Sequence, residues 1–310
     1  MTRGFITLAT GNIKYFKMAL NMLKSFRIHN PDVPFAILCD QHNQYTEQFD
    51  DVIILEQSYR DYRDKFSLLI NSPYDETIFI EPDCLIYRSL DFFWDLLSQE
   101  SDFSSFGWND GGIGCWFKDE NIKQHLYKII PEIDSNTDAP VFNPGYLFIR
   151  RGSKCTKMYK DCIRLAKVIS EDSVLGAYPP ILCNNNLRDD PIFALAMTVN
   201  GFICHARPKE GKCISLPSKY TIDKIDILDG LLDVTDKTGK HFSHCSLLHF
   251  STKKAEEEGL YFWQSVLVDC YYKNINLTKF LNHPFVGKLF SIYRYILTRF
   301  KKYLIHPFKF

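Results

Sequence analysis

Short apolar runs alternate with stretches of helical period over most of the chain. Residues 4–10 form a run rich in strand formers that breaks at Gly11-Asn12, and beyond it Tyr15, Ala19, Met22, Leu23 and Phe26 recur at helical spacing. The pattern predicts strand, turn, helix. Further strands are expected over 35–39, ending on Asp40, and over 52–55. Phe66, Leu69 and Ile70 then suggest a helix stopped near Asn71-Ser72-Pro73. The run Thr77 to Ile80 is nearly all apolar, as a strand buried on both faces must be, and leads directly into Glu81-Pro82-Asp83.

Another apolar strand is expected over 146–149, after Phe142-Asn143-Pro144-Gly145. Asp189-Asp190-Pro191 opens a helix closed by Gly201, with Pro near its start and Gly just past its end. A last strand over 246–250 carries His249 near its end, and no internal repeat is visible. Strands alternating with helices predict β-α-β units and a mostly parallel sheet flanked by helices. Such sheets bind ligands beyond the carboxyl ends of their strands, so polar residues there are the first place to look for chemistry.

Glu81 and Asp83 are separated by one residue, and in extended chain alternate side chains share a face, so their carboxylates converge. Pro82 biases Glu81 toward extended angles and ends strand pairing. Paired carboxylates are hard oxygen ligands suited to Mg²⁺ or Mn²⁺, and such an ion bridges them to a diphosphate. The alternative at this point is a solvated acidic turn. A zinc site from His241, His244, Cys245, His249, Cys204 and His205 is disfavoured, because their spacing matches no standard zinc pattern.

Composition sets the frame. With 45% hydrophobic and 24% charged residues the chain is a folded globular protein, and 310 residues suit one α/β domain over 1–270 with a tail over 271–310. The formal charge of zero hides a division, because residues 271–310 hold eight Lys or Arg and no acid, leaving 29 basic and 37 acidic residues before them. Over 285–305 a helical projection puts Phe285, Leu289, Ile292, Ile296 and Phe300 on one side and Lys288, Arg294, Arg299, Lys301 and Lys302 on the other. This predicts an amphipathic helix on an anionic membrane surface, or else a helix packed on the body with a solvated basic face. Nucleic acid is not an expected partner of an acidic body that carries no recognition motif. The ten scattered cysteines read as reduced thiols. No signal peptide or run long enough to span a bilayer is apparent, so a cytoplasmic location on the inner face of a membrane is expected.

Lys65 ahead of Ser72-Pro73-Tyr74-Asp75, the run from Thr77 through Glu81-Pro82-Asp83 to Ile86, Phe142-Asn143-Pro144-Gly145, Asp189-Asp190-Pro191 and Leu248-His249-Phe250 together resemble glycosyltransferase family 8 and its GT-A relatives across residues 4–255. The resemblance implies a Rossmann-like GT-A fold and transfer of a hexose from a nucleoside diphosphate sugar, with UDP the expected nucleotide. The acceptor would be a glycan or a lipid-linked glycan.

Glu81 and Asp83 occupy the D-x-D metal positions, Glu81 departing by one methylene, and His249 looks like the third ligand of Mn²⁺ or Mg²⁺. Thr7, Ala9, Thr10 and Asn12 fall where the family's first strand meets base and ribose, or else form a plain surface turn, and Asp40 is a ribose contact or else a helix cap or turn residue. Lys65 resembles the basic residue that approaches the donor, and Lys254 stands near the diphosphate. The resemblance implies that Asn143 and Gly145 line the sugar pocket and that the first acid of the Asp189-Asp190 pair contacts donor hydroxyls near the reacting carbon. If configuration inverts, Asp189 or Asp190 is the general base; if it is retained, no placed nucleophile is required. A catalytically silent relative that binds a glycan or a protein at the membrane is the alternative.

Overall fold

The computed structural model describes residues 1–99, 101–183, 186–205, 212–215, 220–250 and 255–273, the last stretch with side chains from 260 onward. Lys254 and the predicted tail helix over 285–305 lie outside the described residues.

The first apolar run is β1 (Arg3–Ala9) and the helical stretch after it α1 (Ile13–His29). Between them Gly11 takes φ +72°, which glycine tolerates, and Asn12 caps the helix by accepting the Lys14 N–H at 2.9 Å. Next come β2 (Phe35–Cys39), β3 (Asp51–Ile54) and β4 (Glu76–Ile80). All four strands run parallel in the order β3-β2-β1-β4. The helix expected around Phe66 is a 3₁₀ turn over Tyr62–Ser67 leading into the short α2 (Leu68–Asn71). Pro73 disfavours helical angles at Ser72, which is extended at ψ 136°, and so ends it.

After β4 the chain enters β5 (Cys84–Ile86) and α3 (Phe92–Leu97), then β6 (Phe103–Ser104), β7 (Gly107–Trp108), α4 (Gly112–Trp116), α5 (Glu120–Ile129), β8 (Val141–Phe142) and β9 (Tyr146–Arg150). β9 runs antiparallel to β4 and β6 antiparallel to β9, which completes a six-stranded, mostly parallel sheet. Then follow α6 (Ser153–Glu171), the small antiparallel pair β10 (Leu182–Cys183) and β11 (Asn186–Leu187), and α7 (Asp189–Asn200). Gly201, at φ +68°, ends α7 as expected.

Alternation along β1 divides the core. Ile6 faces a cluster with Phe79, Leu147 and residues of α4 to α7, whereas Phe5 and Ala9 face α1 and α3. The second half of the chain builds a smaller layer from β12 (Cys213–Ser215), the antiparallel sheet of β13 (Tyr220–Asp226), β14 (Leu231–Asp236) and β15 (His241–Phe242), then β16 (Leu247–His249) and α8 (Ala255–Tyr272). β16 pairs parallel with β12 and antiparallel with β5, and a third cluster around Leu85, Tyr87, Leu248 and Val268 joins this layer to α8. Among the described residues all ten cysteines are free, and no helix is long and apolar enough to cross a membrane.

Candidate functional site

β4 delivers Glu81 and Asp83 to the carboxyl edge of the parallel sheet. The Glu81 N–H donates to Gly145 O at 2.9 Å, extending the β4–β9 ladder by one bond, and the Cys84 N–H closes a turn onto Glu81 O at 3.1 Å. On the far side the Phe250 N–H donates to Asp83 O at 3.0 Å, and His249 stands opposite Cys84 in the β5–β16 pair. Backbone pairing therefore brings three side chains to one point. His249 Nε2 lies 2.8 Å from Glu81 Oε2 and 3.2 Å from Asp83 Oδ1.

Both His249 Nε2 and Asp83 Oδ1 are buried, and neither completes a well-angled hydrogen bond. Converging lone pairs without a fitted proton donor are what a cation site requires. Burial pushes the His249 imidazole down, but the Asp83 and Glu81 carboxylates outweigh it and hold it up to about 10. Asp83, Cys84 and His249 present ligand atoms within 4.8 Å of one another. Burial raises the Cys84 thiol well above its usual value, so it stays protonated and is a poor partner for a hard ion.

Lys65 sits behind this cluster, buried, with its ammonium bridging Glu81 Oε1 and Asp189 Oδ2. Burial alone would lower it, yet the Asp189 and Glu81 carboxylates hold it well above the usual lysine range. Burial likewise opposes ionisation of Glu81, and the Lys65 ammonium and His249 overcome it, keeping Glu81 well below the usual carboxylate range. The carboxylates of Glu81, Asp83 and Asp189 thus gather around the Lys65 ammonium and the His249 imidazole. Asp83 and His249 with Glu81 Oε2 are the donors placed to hold a divalent cation, which would displace the imidazole proton.

Asn143 and Gly145 form the wall beside the imidazole. Asn143 Oδ1 accepts the Gly145 N–H at 2.8 Å and its Nδ2 lies 3.4 Å from His249 Nδ1, an outer contact that orients the ring. A Cβ at Gly145 would meet Asn143 Oδ1 and His249 Cε1 at 2.9 Å and Glu81 Oε2 at 3.1 Å, so glycine is needed for the approach. Asp189 and Asp190 occupy the first turn of α7 rather than its cap, which is Arg188. Asp189 faces Lys65, and Asp190 is gripped by the Arg188 guanidinium, with Nε at 2.8 Å from Oδ1. Beside them a cavity of about 510 Å³ is lined by Trp116, Lys118, Phe142, Arg188 and Asp190.

The residues expected to meet a nucleotide lie at the ends of β1 and β2. Thr7 and Ala9 are buried, Thr10 is half-buried and Asn12 is exposed as the α1 cap. Asp40 is a linchpin of the edge, accepting the Gly11 N–H at 3.1 Å and Arg60 Nε at 3.0 Å. Arg60 and Arg188 were not singled out from the sequence. Both act through partners, one of them twenty positions away, and only the left-handed backbone of Arg60, at φ 57°, marks it locally.

No protein-family model matches the chain, and no curated protein matches it in sequence. Solved structures share its fold. An active-site mutant of LgtC is 12% identical with a TM-score of 0.50, the match covering 85% of this chain and 95% of LgtC. The apo form of the glycosyltransferase GlyE of Streptococcus pneumoniae TIGR4 is 10% identical with a TM-score of 0.51, covering 89% of this chain and 64% of GlyE. Against a further GlyE structure, 13% identical with a TM-score of 0.40, the match takes in 66% of this chain and 45% of that one, less than half its length. The fold is GT-A, as the sequence resemblance implies.

Proposed function

We propose that the chain transfers a hexose from a nucleoside diphosphate sugar, UDP-linked, to a hydroxyl of a glycan or lipid-linked glycan, assisted by Mn²⁺ or Mg²⁺. The observation that carries this reading is the convergence of Glu81, Asp83 and His249 at the carboxyl end of β4, on a fold shared with LgtC and with the glycosyltransferase GlyE. When bound, the ion neutralises the departing diphosphate.

The chain's own residues hold and orient. Asp83 and His249, fixed by strand pairing, with Glu81 Oε2, hold the cation, and Asn143 keeps the imidazole aimed. Lys65, locked between Glu81 and Asp189, offers a permanent positive charge beside the donor phosphates. Thr7 shares a face of β1 with Phe5 and Ala9, so base and ribose are met by the backbone of Thr7, Ala9 and Thr10 and by Asn12 and Asp40. Asp189 and Asp190 shape the sugar pocket with Asn143 and Gly145. Each aspartate is already paired with a cation, which suits it to orient hydroxyls. The cavity beside Asp190 receives the acceptor, and Lys254 joins the phosphate contacts. The basic segment 271–310 holds the enzyme to an anionic membrane from the cytoplasmic side.

A second reading, a silent glycan- or protein-binding module, rests on the engagement of both Glu81 oxygens, one by Lys65 and the other by His249. Release of UDP from UDP-hexoses, followed with and without glycan acceptors, separates the readings. Acceptor-dependent release supports transfer, equal release without acceptor indicates hydrolysis, and no release favours the binding module.

A further inference from the structure

A second polar cavity lies away from the carboxylate cluster. In the β5–β16 pair His249 faces Cys84 at one end and Leu247 faces Ile86 at the other, and just beyond that other end stand Ser246 and Arg88. Three residues of strand put Ser246 about 10 Å from His249. Here a cavity of about 670 Å³ is walled by Arg88, Lys212, Lys240, His241 and His244. Among the described residues no carboxylate lines it, although the body as a whole is acidic.

The nearby acids are each engaged, Asp223 by His241 of the wall itself. Asp223 lies 3.2 Å from His241 Nδ1, Asp233 accepts the His244 N–H at 2.8 Å and faces Lys224 at 3.9 Å, and Asp91 accepts from Ser89 Oγ at 2.6 Å. The Lys212 ammonium lies 5.1 Å from the Phe92 ring and that of Lys240 4.8 Å from the Phe242 ring. The Lys240 contact positions its ammonium without neutralising it. Arg88 Nη1 contacts His244 Nδ1 at 2.9 Å and Gly230 O at 3.4 Å, while Nε and Nη2 have no protein partner among the described residues. His244 is held at φ 56°, a conformation rarely adopted by a bulky side chain, and its ring is thereby brought against Arg88.

We propose that this cavity binds a phosphate group, at a site separate from the one that holds the donor. The Arg88 guanidinium with its free N–H edge, the Lys240 ammonium and the His244 imidazole converge on one space, which matches a tetrahedral anion with several oxygens better than a single carboxylate. The phosphate comes either from an anionic lipid headgroup or from a soluble phosphate compound, and both present the same oxygens. The site stands whether or not the transferase reading does, since none of its residues belongs to the carboxylate cluster.

The test uses the full chain, wild type, with the single variants Arg88→Ala and Lys240→Glu and with Asp83→Ala as a control. One arm titrates inorganic phosphate by calorimetry at fixed ionic strength. The other measures co-sedimentation with phosphatidylcholine vesicles, with and without phosphatidic acid. The expected result is binding in at least one arm, weakened about tenfold or more by Arg88→Ala and by Lys240→Glu and unchanged by Asp83→Ala. Because the basic segment 271–310 also attracts vesicles, only the difference between wild type and variant counts in that arm. Loss confined to vesicles identifies a lipid source, and loss of soluble phosphate binding identifies a free one. Arg88 and Lys240 are exposed, and if Arg88→Ala unfolds, Lys240→Glu alone decides. Binding in neither arm, or binding that both variants leave intact, overturns the proposal.

Discussion

Asp83 Oδ1 and His249 Nε2 lie 3.2 Å apart because β5 and β16 pair in a register that sets His249 against Cys84, with the Phe250 N–H tied to Asp83 O at 3.0 Å. Their meeting is a property of the backbone ladder. Side-chain entropy is spent on folding rather than on binding, so the proposed cation site is preorganised.

Gly145→Ala tests that preorganisation. The added methyl must displace Asn143 or His249, both at 2.9 Å. Mn²⁺ affinity is expected to fall about 10–100-fold, in the range seen when outer contacts of a ligand are lost, with the fold retained by circular dichroism. Unchanged affinity would show that the Asn143–His249 contact does not orient the ligand.

Lys65→Met removes the only ammonium in contact with Glu81 and Asp189 among the described residues and leaves two poorly solvated carboxylates facing each other. Breaking a buried pair from one side costs about 3–5 kcal/mol, so the urea midpoint should drop sharply. The additional change Asp189→Asn should recover part of the loss. A midpoint equal to wild type would mean that the ion pairs contribute little.

His29 gives the fold a pH response unrelated to the site. Its Nε2 lies 2.8 Å from Ile227 O, and its pKa falls below 6.5 because burial outweighs the carbonyl contact, with Arg88 adding to the fall. A depressed folded pKa means that the unfolded chain takes up the proton first. The stability from neutral His29 is therefore full above the unfolded value and is lost as pH drops through the folded one. Urea melts at about pH 7.5 and about pH 5 should show a smaller acid loss for His29→Gln than for wild type, and equal slopes would refute the assignment.

The parallel half of the fold was legible because its signals are local. β4 is buried throughout and apolar from Ile78 to Ile80, and the i, i+2 spacing of Glu81 and Asp83 aims both at His249. The antiparallel layer was missed although a signal existed. Asp229-Gly230 lies between the runs that become β13 and β14, and Gly230 takes the φ of +64° that hairpin turns demand. The grip of Arg60 on Asp40 and the bridge of Lys65 from Glu81 to Asp189 depend on how distant segments meet, and periodicity does not encode that. Asp40 also clasps the sheet edge through the Gly11 N–H and Arg60, contacts between distant segments that the sequence pattern does not carry.

In the proposed function Asp83, with His249 and Glu81, holds a cation that binds the diphosphate of a nucleotide donor. Calorimetric titration of UDP into wild type and Asp83→Ala, each with and without Mn²⁺, tests it most directly. The account predicts UDP binding to wild type that requires Mn²⁺ and is abolished in Asp83→Ala while that variant keeps its fold; UDP binding that ignores both Mn²⁺ and the substitution, or no UDP binding at all, would contradict it.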